Sequence, residues 1–377
     1  MRVGPDRVAE VSAFDVPPSA EVGQVLDTLE LEVQRQILQT KARQMAAERL
    51  AAERFDPAVF STLGGSLDEM LARPVVGERY LIERLLGARH NMVLAAQYKT
   101  GKTTMGVNLI KSLADGAPFL GHKVMSWEGR VAWWNGEMDD QDFHDYVRPL
   151  KVKNPKRVQL LHLRGRPVSI LDPHSAEMVV KHLRDNEIGF WGVDSWRRFC
   201  AWNGVNENDN EAVERLTTRV DEIKERSGCD VFAAIAHTPR AAMEEGEERA
   251  RGAAALDDWV DARWVLTKNR DGDRFLAVTG RGVGLEETKL EFNPATYRLT
   301  LGEGNRRTAV NETLRLGVSM ALKGAPDGLL TGELADVVKV PRQKSGALKP
   351  VLEALIDDRS VTVESAPRNG KRYRWNG

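Results

Sequence analysis

Short apolar runs alternate with helical stretches over residues 80–300 of this 377-residue chain. The strand-like runs are NMVLAA, RVAWWNG, VQLLHL, IGFWGVDS and DVFAAIAHT. Strands that alternate with helices predict a mostly parallel sheet covered by helices on both faces. Two hairpin-like pairs follow, with turns at Asp271-Gly272 and Asn293-Pro294. We therefore expect an α/β core over residues 58–305.

The N-terminal part, residues 1–57, has a different pattern. Residues 1–20 contain three prolines and little periodicity, which is typical of a loose arm. Residues 21–56 have apolar side chains at helical spacing and an Ala/Glu/Arg-rich end, so they predict one long helix. We expect this helix to pack on an adjacent subunit or to fold back on its own core. Its apolar positions are Val22, Leu26, Leu29, Val33, Ile37 and Leu38.

The C-terminal part, residues 306–377, begins after a change in composition at GEGNRR (302–307), which we interpret as a linker. Three helical stretches and a basic hairpin follow, an order that predicts a small winged-helix domain. This part holds thirteen Lys/Arg and eight Asp/Glu residues, so its net charge is +5. Winged helices bind DNA or dock proteins, and both interpretations stay open. The candidate DNA-binding residues are Lys344 and Lys349 on the third helix and Arg368, Lys371, Arg372 and Arg374 on the hairpin.

The composition of the whole chain narrows the class of protein. The net charge is −1 with 29% charged residues, so any basic surface for nucleic acid must be local. Cys200 and Cys229 have no metal-ligand neighbours at zinc spacing, and we expect buried thiols in a reducing compartment. No signal-like or membrane-spanning apolar run is visible. We therefore expect a cytoplasmic protein with no membrane partner.

Residues 94–105, LAAQYKTGKTTM, come close to the phosphate-binding loop G-x-x-x-x-G-K-[ST], with Ala96 in place of the first glycine. The strand before the loop and the helix after it stand in the required order. Gly101 allows the backbone to approach phosphate, Lys102 reaches the outer phosphates, and the Thr103 hydroxyl is a candidate Mg²⁺ ligand. Alanine at position 96 is a mild change provided that its φ stays negative. The candidate ATP-binding residues are Ala96, Gln97, Tyr98, Lys99, Thr100, Gly101, Lys102, Thr103 and Thr104.

Three further strands end in residues that could complete an ATP-hydrolysing site. Asp194 ends IGFWGVDS and is the candidate second ligand for Mg²⁺, with Ser195 as a helper. Glu137 follows RVAWWNG and is the candidate group that activates the attacking water. His237 ends DVFAAIAHT and is a candidate γ-phosphate sensor. The alternatives are a turn aspartate, a helix N-cap acid and a core histidine, respectively.

Several motifs occur together in one order: the Lys-Thr-Gly-Lys-Thr loop, NGEMDD, VDSWRRF, AIAHT, RGAAALDDWVDARWVL and TGRGVG. As a set they resemble the RepA-type branch of RecA-fold hexameric ATPases, which are replicative helicases related to DnaB, over about residues 75–300. The resemblance implies ATP and Mg²⁺ as cofactors, DNA as a partner and a ring, with hexamers expected. It also implies roles for Lys102 and Thr103 at the nucleotide, Glu137 in catalysis, Asp194 at the metal and His237 as sensor. The family has an arginine finger from the neighbouring subunit, for which Arg281 and Arg251 are the two candidates.

Two loops depart from what a motor on DNA is expected to carry. The stretches NGVNENDNE after Asp194 and TPRAAMEEGEERARG after His237 occupy the positions where RecA-fold motors present DNA-binding loops. Both are acidic, although contact with phosphates calls for Lys and Arg. Two functions therefore stay open: a DNA helicase, and an ATP-switched DNA-binding regulator or recombination mediator that does not unwind DNA.

Overall fold

The architecture comes from a computed structural model, which describes residues 19–54, 65–74, 77–97, 99–237, 254–269, 271–367 and 370–376. The chain divides into two compact units, residues 1–76 and residues 77–377. Residues 1–18 of the predicted arm over residues 1–20 lie outside the described residues, and Ser19 and Ala20 belong to the first helix. Among the described residues, no helix is long and apolar enough to cross a membrane.

The larger unit is built on a twisted sheet whose described strands run in the order β11-β10-β9-β8-β3-β7-β6-β4-β5. The six strands from β8 to β5 are mutually parallel, and β9, β10 and β11 add antiparallel pairs at one side. The prediction of a mostly parallel α/β sheet is confirmed. The strands are β3 (Asn91–Ala96), β4 (Arg130–Asn135), β5 (Val158–His162), β6 (Ile188–Asp194), β7 (Val231–His237), β8 (Ala262–Lys268), β9 (Arg274–Gly280), β10 (Val283–Asn293) and β11 (Arg298–Leu301), preceded by the short pair β1 (Tyr80–Ile82) and β2 (Leu86–Gly87).

Helices cover both faces of this sheet, because alternate residues of the central strands point to opposite sides. Met92 and Leu94 of β3 belong to the core cluster on one face, and Val93 and Ala95 belong to the cluster on the other. Trp134 of β4 and Trp191 of β6 are buried on one of these faces. The helices of this region are α3 (Lys102–Asp115), α4 (Asp140–Val147), α5 (Pro173–Asp185), α6 (Trp196–Trp202), α7 (Asn210–Ser227) and α8 (Ala254–Trp259), with 3₁₀ turns at Arg148–Leu150 and Pro155–Arg157.

Both predicted hairpins are present. Gly272, with φ +97°, lies in the turn between β8 and β9. The side chain of Asn293 accepts hydrogen bonds from the backbone N–H groups of Ala295 and Thr296, which closes the turn between β10 and β11. Both cysteines are buried and free, as expected.

The C-terminal module, which we define as residues 306–376, has its own apolar core. It contains α9 (Arg306–Lys323), β12 (Leu329–Leu330), α10 (Thr331–Val337), a 3₁₀ segment (Arg342–Leu348), α11 (Lys349–Asp357), β13 (Val361–Ala366) and β14 (Gly370–Trp375), with the three strands in the order β12-β14-β13.

The segment that we interpreted as a linker is bonded to the core. The N–H of Lys289 donates to the carbonyl of Gly304, and the Arg306 guanidinium lies 2.6 Å from Glu287. Lys289 and Glu287 both lie on β10. The first residue of the C-terminal module is therefore bonded to the sheet of the core.

The smaller unit contains two described helices, α1 (Ser19–Arg54) and α2 (Leu67–Ala72). The first agrees with the predicted helix over residues 21–56. Of its described apolar side chains, Leu29, Val33, Ile37 and Leu38 are each about half exposed or more, between 48% and 67%. In α2, no residue is buried.

The end of α3 carries a buried ion pair on which we base a stability prediction. Lys111 Nζ lies 2.5 Å from Asp115 Oδ2, with side chains only 7% and 1% exposed. Asp115 Oδ1 also accepts the N–H groups of Lys153 and Asn154. Burial raises the pKa of Asp115, but the bonds from Lys111 and the two N–H groups outweigh it and leave the pKa below its ordinary value.

We expect Asp115→Asn to lower the free energy of unfolding by about 3–5 kcal/mol, because it leaves Lys111 charged and buried without its partner. Since the folded pKa is depressed, the contribution is present above the unfolded pKa and is lost as pH falls through the folded value. Denaturant titrations at neutral and acidic pH measure it, and the difference between variant and wild type should shrink in acid. The matched control is Asp185→Asn, which breaks the exposed Lys181–Asp185 pair of the same spacing and should cost less than about 1 kcal/mol. Equal costs for the two variants would contradict the prediction.

Candidate active site

The carboxyl ends of four neighbouring parallel strands bring the predicted polar residues together. Strand register places Ala96 beside His237, and Asp194 between Ile235 of β7 and Asn135 of β4. Glu137 follows Asn135 by two residues. Because parallel strands end at the same edge of a sheet, residues that are up to 135 positions apart in sequence meet there.

The phosphate loop leads from β3 into α3 with an open helix N-terminus. Lys99 and Gly101 have φ values of +60° and +102°, and the N-cap Gly101 provides no side-chain cap for α3. The first N–H groups of the 14-residue helix α3 therefore point out of the helix, with the positive end of its dipole behind them. The Thr100 hydroxyl donates to the Gln97 carbonyl at 2.7 Å and closes the loop. This backbone is suited to hold an anion such as a phosphate.

Ala96 is the last residue of β3, is fully buried, and does not have a positive φ. Its Cβ therefore causes no backbone strain, and the left-handed conformations of the loop fall on Lys99 and Gly101 instead. Gln97 follows β3, and Thr103 and Thr104 lie in the first turn of α3. Tyr98 lies outside the described residues.

Lys102 is the first residue of α3 and is buried, with 9% of its surface exposed. Its Nζ lies 2.9 Å from His237 Nδ1. Burial lowers the pKa of Lys102, and the nearby carboxylates of Glu137 and Asp194 oppose that shift. A buried ammonium without a bound anion is costly, so the site favours a negatively charged ligand at this position.

Glu137 is held by two side chains from other strands. Ser195 Oγ donates to Glu137 Oε1 at 2.5 Å, and His237 Nε2 lies 3.6 Å from the same oxygen. The contact with His237 lowers the pKa of Glu137 to about 2, with help from Ser195 and Lys102 against the opposing effect of burial. Glu137 is thus ionised at neutral pH and has the charge state of a general base.

His237 bridges Lys102 and Glu137. Lys102 Nζ faces Nδ1 of His237, and Nε2 of the same ring faces Glu137. His237 thus connects the lysine that would bind phosphate with the carboxylate that would activate water. This position is suited to a residue that responds to the γ-phosphate.

Asp194 and Thr103 fit a Mg²⁺ ion. Asp194 is 3% exposed, and burial together with the charge of Glu137 raises its pKa to about 7. Among the described residues, its side chain has no ion-pair partner. A buried carboxylate of this kind is stabilised by a divalent cation, and the half-buried Thr103 hydroxyl at the start of α3 is the second oxygen ligand available.

Two contributors were not predicted from the sequence. Asn135 is buried and its Oδ1 accepts the N–H groups of Glu137 and Met138, which fixes the turn that presents Glu137. Arg274, at the start of β9, donates from Nε to the Thr100 carbonyl at 2.9 Å. The Asn-Gly pair before Glu137 was a local signal of a turn. Nothing near Arg274 in sequence points to the phosphate loop, since the contact exists only through the sheet.

The remaining predicted residues do not meet at this edge. Arg281 lies at the opposite end of the strands and pairs with Asp261. The rival finger candidate, Arg251, lies outside the described residues.

The predicted DNA-binding residues are in the C-terminal module. Arg372 and Arg374 donate to carbonyls at residues 327–328, so part of their hydrogen-bonding capacity is used within the module. Lys349 and Lys371 are exposed, and Lys349 lies 3.8 Å from Glu353. Arg368 and the side chain of Lys344 lie outside what the structure describes.

Residues 66–243 match the family model of an AAA domain. The matched residues contain the phosphate loop and the three polar strand ends described above. The chain carries a P-loop ATPase domain. A comparison with curated proteins finds no match. Among solved structures, one that is similar is a KaiC-like protein of the hyperthermophilic archaeon Pyrococcus horikoshii OT3, with 14% identity and a TM-score of 0.43 over 60% of this chain and 96% of that chain.

The geometry of the ATPase domain predicts different defects for two variants. Lys102→Ala should abolish nucleotide binding, because it removes the buried charge that faces the phosphates. Glu137→Gln should bind ATP as wild type does and lose turnover, because it removes the base without changing the side-chain size. Titration with a fluorescent ATP analogue and a phosphate-release assay separate the two effects. Wild-type affinity in Lys102→Ala would contradict the assignment of the loop.

Proposed function

We propose that this chain is an ATP-hydrolysing ring motor that acts on DNA, most simply a helicase of the plasmid or phage replicative type. The observation that carries the ATPase part is the convergence of Lys102, His237, Glu137 and Asp194 at one sheet edge. Lys102 binds the outer phosphates, and Glu137 orients the attacking water and takes its proton. His237 reports the state of the γ-phosphate. Thr103 and Asp194 would hold Mg²⁺, which would supply positive charge to the phosphate oxygens.

The DNA part of the proposal is supported by the C-terminal module. Its three α-helices and three strands follow an order that is compatible with a winged helix, in which α11 would be the recognition helix and the β13–β14 hairpin the wing. Lys349 begins α11 and Lys371 lies on β14, and both side chains are exposed to solvent. Exposed cations on these two elements support the proposal that the module contacts DNA phosphates.

The second candidate function is an ATP-switched DNA-binding regulator or recombination mediator. It is favoured by the segment between α6 and α7, residues 203–209, which contains no Lys or Arg. Within it, Asn206 accepts hydrogen bonds from Asn208, and the Asp209 side chain caps α7. These polar groups are used locally, so this segment is poorly equipped to hold a DNA backbone.

One experiment separates the two functions. ATPase activity is measured with and without single-stranded DNA, and strand displacement is measured in parallel on a forked duplex. A motor should show DNA-stimulated hydrolysis together with displacement, and Glu137→Gln should show neither. DNA binding with ATP-dependent assembly but without displacement would favour the regulator.

For the C-terminal module, we expect the double variant Lys349→Gln/Lys371→Gln to weaken duplex binding. The slope of log K against log salt concentration should become shallower by about 0.9 for each DNA phosphate that the variant no longer neutralises. Lys181→Gln, which changes an exposed lysine of α5 on the ATPase domain, is the control. An unchanged slope in the double variant would indicate that the module docks a protein instead.

For assembly, we expect deletion of residues 1–57 to reduce the mass of the oligomer formed with ATP and Mg²⁺. The half-exposed apolar side chains of α1 are suited to bury against another subunit. Multi-angle light scattering measures the mass, and circular dichroism checks that the remaining chain is folded. An unchanged mass would contradict a role of α1 in assembly.

A further inference from the structure

Arg281 lies at the edge of the sheet opposite to its own phosphate loop. Gly280 pairs with Ala262, and Ala262 pairs with Met92 near the amino-terminal end of β3. The phosphate loop begins after Ala96, at the other end of the same strand. A residue in a strand advances the chain by about 3.3 Å, so the two features are separated by roughly 15–20 Å. Within one subunit, Arg281 is therefore remote from the phosphates.

The Arg281 side chain is presented to solvent and is held at the same time. It is 74% exposed, and Nη1 lies 2.8 Å from Asp261 Oδ1. The backbone N–H of Arg281 also donates to the Asp261 carbonyl at 2.8 Å. Asp261 thus contacts both the backbone and the guanidinium of Arg281, and the other guanidinium N–H groups have no partner among the described residues.

Asp261 is itself fixed from the core side. Its side chain is only 18% exposed, and Oδ2 accepts the backbone N–H of Asn91 at 3.0 Å. The N–H of Asp261 donates in return to the Asn91 carbonyl at 2.8 Å. One carboxylate therefore joins the start of β3 to the turn that carries Arg281.

Asn91, which bonds to Asp261, has a buried side chain that is itself held by other residues. Its Oδ1 accepts from Lys224 Nζ at 2.6 Å, and its Nδ2 donates to Asp221 Oδ1 at 2.9 Å. The other oxygen of Asp221 accepts the indole N–H of Trp259. These groups come from α7 and α8, so the anchor of Asp261 is tied to helices of the core.

The glycines on either side of Arg281 allow the turn that carries it to pack closely against Asp261. A Cβ on Gly280 would lie 2.1 Å from the Asp261 carbonyl, so only glycine permits the contact. Gly282 has φ +69°, and its carbonyl accepts from the Tyr80 hydroxyl at 3.1 Å. The turn is thereby held from both sides while the guanidinium extends outward.

We propose that Asp261 is a positioning residue, which orients Arg281 to act at the phosphate site of a second copy of this chain. An exposed ion pair contributes only about 0–1 kcal/mol to stability, so stability alone does not account for a guanidinium held by a buried, multiply bonded carboxylate. A fixed arginine offers its free N–H groups in one direction and loses less entropy when it meets a phosphoryl group. This inference rests on the proposed ring ATPase. It adds Asp261 as the residue that orients the arginine finger, Arg281.

The test is a double-mutant cycle in the full-length protein. The kcat and KM for ATP are measured for wild type, Asp261→Asn, Arg281→Ala and the double variant. Asparagine keeps the size of the side chain and can still accept from Asn91, but it loses the charge that holds Arg281. Glu177→Gln, which breaks the Arg226–Glu177 pair on the outside of the core, is the control and should keep wild-type kcat.

We expect Arg281→Ala to lose about 10³-fold or more in kcat, and Asp261→Asn to lose about ten- to a hundredfold, as for a misplaced catalytic group. The KM for ATP should stay within about twofold, because the bound subunit's own loop is intact. In the Arg281→Ala background, Asp261→Asn should cause no further loss. The same fractional loss in both backgrounds would show a merely structural role and overturn the proposal, as would wild-type kcat in Asp261→Asn.

Mixing experiments test action across the subunit boundary. Asp261→Asn and Lys102→Ala subunits, exchanged in one assembly, should recover part of the activity, because some interfaces join an intact loop to an intact finger. No recovery in exchanging mixtures would overturn action in trans. If Arg281→Ala keeps wild-type kcat while Glu137→Gln loses turnover, the ATPase stands and the positioning proposal falls. If Glu137→Gln hydrolyses ATP at the wild-type rate, the proposed function itself is wrong.

Discussion

The site depends on bringing four ionisable groups together at the carboxyl edge of one sheet. Lys102 and Asp194 are buried there and Glu137 and His237 are half-buried, so burial penalises an uncompensated charge on any of them. Lys102 and Glu137 compensate each other through the His237 bridge. Burial, and after it the like charge of Glu137, raises the pKa of Asp194. A magnesium–nucleotide complex would stabilise these charges, because it would bring a divalent cation to Asp194 and phosphates to Lys102.

A second polar cluster at the opposite edge has a different character. Asn91, Lys224 and Asp221 are bonded to one another, and Asp261 connects them to Arg281. At the carboxyl edge, the donors of α3 are left open toward a ligand. At this edge, the described side chains of the cluster are hydrogen-bonded to one another, and the Arg281 guanidinium extends outward. One edge is built to receive a ligand and the other to present a rigid group. Such a difference between two surfaces would suit the proposed ring, in which each head-to-tail interface joins two different surfaces.

Much of the fold was readable in the sequence because its signals are local. Hydrophobic runs bounded by helical stretches predicted the parallel sheet, and Asp271-Gly272 and Asn293-Pro294 predicted the two hairpins that close it. The helix over residues 21–56 was predicted within two residues at each end. The bonds between β10 and the segment at residues 302–307 were not predicted, because they join residues about 15 or more positions apart and leave no trace in local composition.

The sequence by itself determined which residues end the central strands, and with them the phosphate loop, Glu137, Asp194 and His237 as candidates. Strand periodicity and turn chemistry act over a few residues, so such assignments need no tertiary contact. Only the tertiary structure decided that His237 bridges Lys102 and Glu137, that Arg274 supports the loop, and that Asp261 holds Arg281 at the far edge. Those contacts depend on strand order and register, because a parallel sheet aligns distant segments by hydrogen bonding between strands that are not neighbours in sequence.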